Sequence, residues 1–244
     1  MDSEWFKDWF NTPYYHILYK NRDDNEAQYF IDRLVDFLQP SEGAKFLDVA
    51  CGKGRHSIYL NNKGYDVTGI DISPQSIAEA NLHQNPTLHF FVADMREHCA
   101  LEEYDIALNL FTSFGYFEDR SDNLKALHTV FEALKPGGRL VLDYFNADKI
   151  LPTLKPQETK TVEGIEFTIT KKIENGRIIK TITFFADGEE HRYKEKVDAS
   201  NKADFEKLFA KTDFNVLNIF GDYRLGDFDN QQSDRLIFAV QKPA

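Results

Sequence analysis

Three aspartates sit at the ends of short apolar runs: Asp48 in 46–49, Asp71 after 66–70 and Asp94 after 90–93. Acids crowded at the ends of neighbouring strands are costly unless a ligand needs them. The first opens the turn Asp48-Val49-Ala50-Cys51-Gly52-Lys53-Gly54-Arg55, where an apolar strand breaks into glycines and restarts as a helix. Glycines admit a ligand close to the backbone, and a helix start offers unpaired N–H groups and a positive dipole end. Asp71, about 20 residues further on, can accept hydrogen bonds from both hydroxyls of a ribose. Asp94, followed by Met95, suits an adenine amino group whose ring is covered by apolar neighbours. Glycine turns and strand-end acids are individually common; the three together describe a crevice for a nucleotide-like small molecule.

The elements that must position these groups alternate. Apolar runs at 46–49, 66–70, 88–92, 106–110 and 140–143 read as strands, separated by helical stretches at 55–62, 74–81 and 122–134. Such alternation predicts a parallel sheet with crossover helices. Gly64 and Pro136-Gly137-Gly138 mark helix ends. Ahead of this core, Trp5, Phe6, Trp9, Phe10, Tyr14, Tyr15 and Tyr19 form an aromatic cluster. It reads as a segment packed on the sheet edge, as a lid over a ligand, or as both. Ala27, Phe30, Ile31, Leu34, Val35 and Leu38 follow with helical spacing.

After Asp143 the pattern turns to strands. Asn175-Gly176 and Asp187-Gly188 each predict a two-residue type I′ hairpin turn. With those turns Ile173 faces Ile178, Ile169 faces Ile182 and Phe167 faces Phe184; the next strand sets His191 against Phe184, Tyr193 against Ile182, Glu195 against Lys180 and Val197 against Ile178. A three-stranded antiparallel meander over about 161–197 is expected, its apolar face against the core, a pocket or a second copy. A homodimer is thus one expected arrangement. A helix near 203–210 and strands near 216–221 and 236–241 close the chain. The whole reads as one domain over 1–244, with a helical, aromatic lid over 1–40 and an inserted antiparallel β subdomain over 159–198.

Bulk composition narrows the function. A chain of 244 residues, 42% hydrophobic and 14% aromatic, buries one substantial core. A net charge of −11 repels phosphate backbones, and the nearest thing to a basic patch, Lys171 and Lys172 with Lys180, sits among carboxylates, so no nucleic-acid partner is expected. Two cysteines, Cys51 and Cys99, make no disulfide framework and suit a reducing cytoplasm. No apolar run approaches the roughly 20 residues of a membrane helix, and the acidic N-terminus lacks a signal-peptide pattern, so no membrane partner is expected. His, Cys and acid residues lack metal-ligand spacing, and no nucleophile is assigned.

Two cofactors compete for the crevice. A nicotinamide dinucleotide places its pyrophosphate at the helix start, where Asp48 would repel it. S-adenosylmethionine has no phosphate, and its ammonium and sulfonium favour a carboxylate at that position. Here the sequence resembles the class I S-adenosylmethionine-dependent methyltransferases, through five segments in order: Leu47 to Gly54, Gly69-Ile70-Asp71-Ile72-Ser73, Ala93-Asp94-Met95, Tyr104 to Asn109, and Leu134-Lys135-Pro136-Gly137-Gly138-Arg139-Leu140. The resemblance implies an α/β, Rossmann-like fold: a seven-stranded, mostly parallel sheet in the order 3-2-1-4-5-7-6, last strand antiparallel, with the meander inserted after the fifth. It implies that Asp48 and the backbone of Ala50, Gly52 and Gly54 hold the methionine end, and that Asp71 holds the ribose. By the same resemblance Ile72 and Met95 flank the adenine, Asp94 meets its amine, and Asn109 lines the methyl-donor side. The likeness is closest to the bacterial small-molecule branch, in which an aromatic N-terminal segment and an insert cover the site, and by that analogy Tyr15 touches the cofactor.

The expected activity is methyl transfer to a small, partly apolar acceptor, leaving S-adenosylhomocysteine. A non-catalytic binding or assembly protein, and a transferase of another group from an adenosylated donor, are the alternatives. The Asn-Pro-Pro-aromatic tetrapeptide of enzymes that methylate planar amines is absent, since Asn109 precedes Leu110-Phe111-Thr112. Candidate acceptor contacts are Phe114, Tyr116, Tyr144, Asn146, His191, Tyr193, Tyr223 and Arg224. His16 is either a base in the lid or a packing residue, and the register favours packing for His191.

Overall fold

In the computed structural model, residues 5–20, 24–97 and 100–244 are described; Cys99 lies outside them. Helices α1 (Trp5–Phe10), α2 (Pro13–Leu18) and α3 (Asp24–Leu38) precede the alternating core. That core runs β1 (Lys45–Val49), α4 (Arg55–Asn62), β2 (Asp66–Asp71), α5 (Pro74–Ala80), β3 (Leu88–Val92), β4 (Tyr104–Asn109), α6 (Ser121–Ala133), β5 (Leu134–Phe145) and α7 (Ala147–Ile150). The insert comprises β6 (Gln157–Val162), β7 (Ile165–Glu174), β8 (Arg177–Ala186) and β9 (Glu189–Asp198), and α8 (Lys202–Lys211), β10 (Asn215–Phe220) and β11 (Arg235–Gln241) complete the chain.

The main sheet has the order β3-β2-β1-β4-β5-β11-β10, and β11 runs antiparallel to both neighbours. With the insert left out of the numbering this is the expected 3-2-1-4-5-7-6. Parallel pairing of β1 with β2 and β4, of β2 with β3 and of β4 with β5 brings the carboxyl ends of five strands to one edge, where open α/β sheets bind ligands. The apolar spacing of α3 is used as expected: Phe30, Ile31, Leu34 and Leu38 are buried with Phe46 and Val67 on one face of the sheet. The Pro136-Gly137-Gly138 stretch lies inside the first part of β5, where the register with β4 shifts between Tyr104 and Ile106.

The insert has four strands, not three. The extra strand, β6, pairs with β7 across Glu163-Gly164, both at positive φ (51° and 81°). A Glu-Gly step is a weak hairpin signal and β6 is largely polar, so neither turn chemistry nor alternation announces it. The other registers hold residue for residue, including Ile169 with Ile182, Lys180 with Glu195 and Phe184 with His191. Ile173 does face Ile178 but stands 50% exposed at the hairpin end.

The apolar face of the insert is covered within the chain, by α1 and α2. Trp9, 1% exposed, stacks on Tyr193 at 4.5 Å, and Tyr14 packs on Phe184 and His191. The aromatic segment therefore lies on the insert and on the loop after β4, where Trp5 meets Tyr116 and Phe6 meets Phe117, rather than on an edge of the main sheet. Buried Glu195 ties the two together: it accepts from Trp9 Nε1 at 2.8 Å, Tyr19 Oη at 2.7 Å and Lys180 Nζ at 2.9 Å. Burial pushes its pKa up, but Lys180 and these hydrogen bonds outweigh that and hold it below the usual carboxylate range. Glu195→Ala removes the common acceptor and should lower stability by about 2 kcal/mol. Both tryptophans lie in α1, so a red-shifted intrinsic emission, with denaturant unfolding at lower concentration, is the expected readout.

Candidate functional site

A cavity of about 370 Å³ opens at the carboxyl edge of β1, β2 and β4, and Asp48, Asp71 and Asp94 all line it. This lies in the range of small-molecule sites. Each carboxylate is held differently. Asp48, 2% exposed, accepts from Ser57 Oγ at 2.6 Å, one turn into α4. Burial raises its pKa to about 7 against the opposing pull of the Ser57 bond. Asp71 accepts from the Gly52 amide and the Ser73 amide, both at 2.8 Å, and so pins the glycine turn to the end of β2; burial again raises its pKa. Asp94 is gripped by Arg96, whose Nε lies 3.0 Å from Oδ1; that guanidinium also reaches Asp122. Burial pushes Asp94 up, but the Arg96 bonds bring it below the usual range. Any adenine amine at Asp94 must share a carboxylate already bound to an arginine.

The glycine turn divides its labour. Ala50 holds φ +60°, and a Cβ on Gly52 would meet no heavy atom within 4 Å, so the backbone here faces open cavity. Gly54, at φ +80°, caps α4, and a Cβ there would lie 2.6 Å from the Phe90 ring; it serves helix–strand packing and is not among the lining residues. Ile72, Met95 and Tyr15 line the cavity. Asn109 does not: it is 3% exposed, its Nδ2 donates to the Val49 carbonyl, and Leu110 takes the wall. Asp48 and Asp71, desolvated and without an ion pair among the described residues, and the open backbone at Gly52 fit S-adenosylmethionine, which presents cations and hydrogen-bond donors.

Beside this cavity lies a second of about 350 Å³, between the ends of β4 and β5, the N-terminal segment and the insert. Phe10, Tyr15, Tyr19, Phe111 and Tyr116 border both. Phe111 and Thr112 hold φ of +56° and +63°, successive left-handed residues that cost about 1–3 kcal/mol each. Fully buried Asp143 fixes them: its Oδ2 accepts from the Phe111 amide at 2.8 Å and its carbonyl from the Thr112 amide at 3.0 Å, while Arg235 bridges Asp143 and the Thr112 hydroxyl.

Of the acceptor contacts expected from sequence, Tyr116 borders both cavities. Phe114 and Tyr144 are core residues, Asn146 holds the carbonyls of Asn230 and Ser233, His191 and Tyr193 stack with Phe184 and Trp9, Tyr223 leans on Asp143, and Arg224 is exposed. His16 lines the first cavity beside Ser76, and burial with nearby Lys53 lowers its pKa to about 4, so the ring is neutral at pH 7. Ser57, Arg96, Asp143 and Arg235 escaped sequence reasoning. Ser57 and Arg96 stand close to the motifs they serve, but nothing in their spacing names the partner.

A methyltransferase-domain family model matches residues 46–138. A putative methyltransferase of Bacillus subtilis (strain 168), YqeM, is 28% identical over 215 residues, covering 82% of this chain and 85% of the relative. A glycine/sarcosine N-methyltransferase of Parasynechococcus marenigrum (strain WH8102) is 28% identical over 218 residues, 86% of this chain and 74% of the relative. The fold is shared with a S-adenosylmethionine-dependent methyltransferase from Clostridium acetobutylicum ATCC 824, with TM-score 0.80 and 20% identity over 95% of this chain and 96% of that one. Sheet order and site thus define a Rossmann-like methyltransferase. The family model over 46–138, these relatives and the shared fold together support a class I S-adenosylmethionine-dependent methyltransferase that uses S-adenosylmethionine as cofactor.

The raised pKa of Asp48 sets a pH dependence. Below about pH 7 the carboxyl is neutral, above it charged, and a cationic ligand binds the charged form. Affinity for S-adenosylmethionine should rise between about pH 5.5 and 7.5, with proton uptake by buffer on binding. Calorimetry in buffers of different ionisation enthalpy checks this, and Asp48→Asn should flatten the curve.

Proposed function

We propose that the protein methylates a small molecule seated in the second cavity, releasing S-adenosylhomocysteine from the first. The observation that carries the reading is the shared border of Phe10, Tyr15, Tyr19, Phe111 and Tyr116 between two cavities at the carboxyl edge of the sheet. Asp48 and the Ala50 and Gly52 backbone hold the methionine end, with Gly54 setting the helix start behind them. Asp71 takes the ribose, Ile72 and Met95 flank the adenine, and Asp94 with Arg96 fixes its edge. Asn109 steadies the β1 end from behind the wall, and Tyr15 closes over the cofactor. When bound, S-adenosylmethionine supplies an electrophilic methyl group on a sulfonium. The chain's own work is alignment and exclusion of water, which is most of what such a transfer needs. Of the expected 1–40 lid, residues 5–20 act with the insert as the cover, while α3 packs on the main sheet, and neither a nucleic acid nor a membrane is needed as partner. The glycine/sarcosine relative supports an acceptor of metabolite size.

Incubating the protein with S-adenosylmethionine and metabolite extracts should yield products heavier by one methyl group; a different added mass would point to another transferred group. Asp71→Ala should weaken cofactor binding by about 1–3 kcal/mol through lost charged hydrogen bonds. Unchanged affinity in calorimetry would remove Asp71 from the site.

A further inference from the structure

The insert's covered face carries one conspicuous break. Phe167, Ile169 and Ile173 alternate along β7, and Ile178, Ile182 and Phe184 along β8, but between them the register sets Lys171 directly opposite Lys180. Like charges opposed across antiparallel strands are destabilising, more so on a face otherwise apolar. Both side chains are largely withdrawn from solvent, at 15% and 29% exposure, and both line the second cavity. That lining contains three cations, Lys171, Lys180 and Arg235, against one carboxylate, Glu195, in a chain of net charge −11.

Two of these charged groups are already committed. The Arg235 guanidinium binds Asp143 and the Thr112 hydroxyl, and Glu195 accepts from Trp9, Tyr19 and Lys180. The lysines are less fully used. Lys171 meets Glu158 at 3.0 Å, and Lys180 meets Glu195 at 2.9 Å and Tyr19 at 3.5 Å. Glu158 is itself shared with Lys160. Each ammonium has three protons, so donors remain on both. Phe145, Ile150, Leu154 and Val197 supply an apolar wall beside them.

We propose that the acceptor carries an anionic group, a carboxylate or a phosphate, bound between Lys171 and Lys180, with its apolar body against β5 and α7. The anion relieves the opposed lysines, and the rest of the acceptor extends toward the Phe111 and Tyr116 border. A cationic amine entering the same place would meet the two ammoniums. The proposal rests on the methyltransferase reading but is tested apart from it.

Binding of benzoate, phenyl phosphate, benzamide and benzylamine is measured by ligand-observed NMR at millimolar concentration, with and without saturating S-adenosylhomocysteine. Benzoate or phenyl phosphate should bind roughly tenfold more tightly than the amide and the amine, and which of the two is preferred separates carboxylate from phosphate. Lys171→Met and Lys180→Met should each erase that preference while S-adenosylhomocysteine still binds, which shows that the variants fold. Binding by none of the set, equal binding of amide or amine, or an unchanged preference in both variants overturns the proposal. Failure of S-adenosylhomocysteine to bind the unaltered protein overturns the cofactor reading instead.

Discussion

The dominant constraint on this molecule is the desolvation of carboxylates at the carboxyl edge of its sheet. A buried acid must find a cation, accept hydrogen bonds or give up its charge. Asp94 takes Arg96, Asp143 takes Arg235, Asp198 takes Arg120 and Arg177, and Glu195 takes Lys180. Asp48 and Asp71 are settled with neutral donors, and no ion pair among the described residues includes them. They are the two acids placed where the resemblance puts the methionine and ribose ends of the cofactor. These two acids, without an ion pair among the described residues, both face the first cavity.

The same economy fixes the parts that a sheet alone leaves loose. The Asp143 carboxylate holds the strained Phe111–Thr112 step, so the border between the two cavities is set by a residue on the neighbouring strand and an arginine on β11. Glu195 joins the N-terminal helices to the insert, making one cover out of segments 186 residues apart in sequence. Loosening either anchor would reshape the second cavity while leaving the glycine turn intact.

Much of the fold was legible in the sequence because it depends on local pattern. Alternating apolar runs gave the parallel sheet, and Asn175-Gly176 and Asp187-Gly188, both at positive φ, gave the hairpin registers residue for residue. The strand order came from the family resemblance. The fourth strand of the insert stayed hidden, since Glu163-Gly164 and a polar edge strand carry little local signal. The three cavity aspartates were legible for a related reason: a strand-end acid beside a glycine turn is a local feature.

Partners brought from far along the chain were not legible. Arg235 reaches Asp143 across 92 positions and Trp9 reaches Glu195 across 186, and the periodicity of neither segment names the other. The register did place Lys180 opposite Glu195 and fixed the spacing that opposes Lys171 to Lys180, yet whether those lysines face solvent or a closed cavity depends on what covers the sheet. The sequence by itself determined the acids and the glycine turn that line the first cavity, because strand ends and glycine turns are written in consecutive residues. Only the tertiary structure decided the second cavity, because its walls come from the N-terminal segment, two strand ends and the insert, and its charge depends on which groups their packing removes from water.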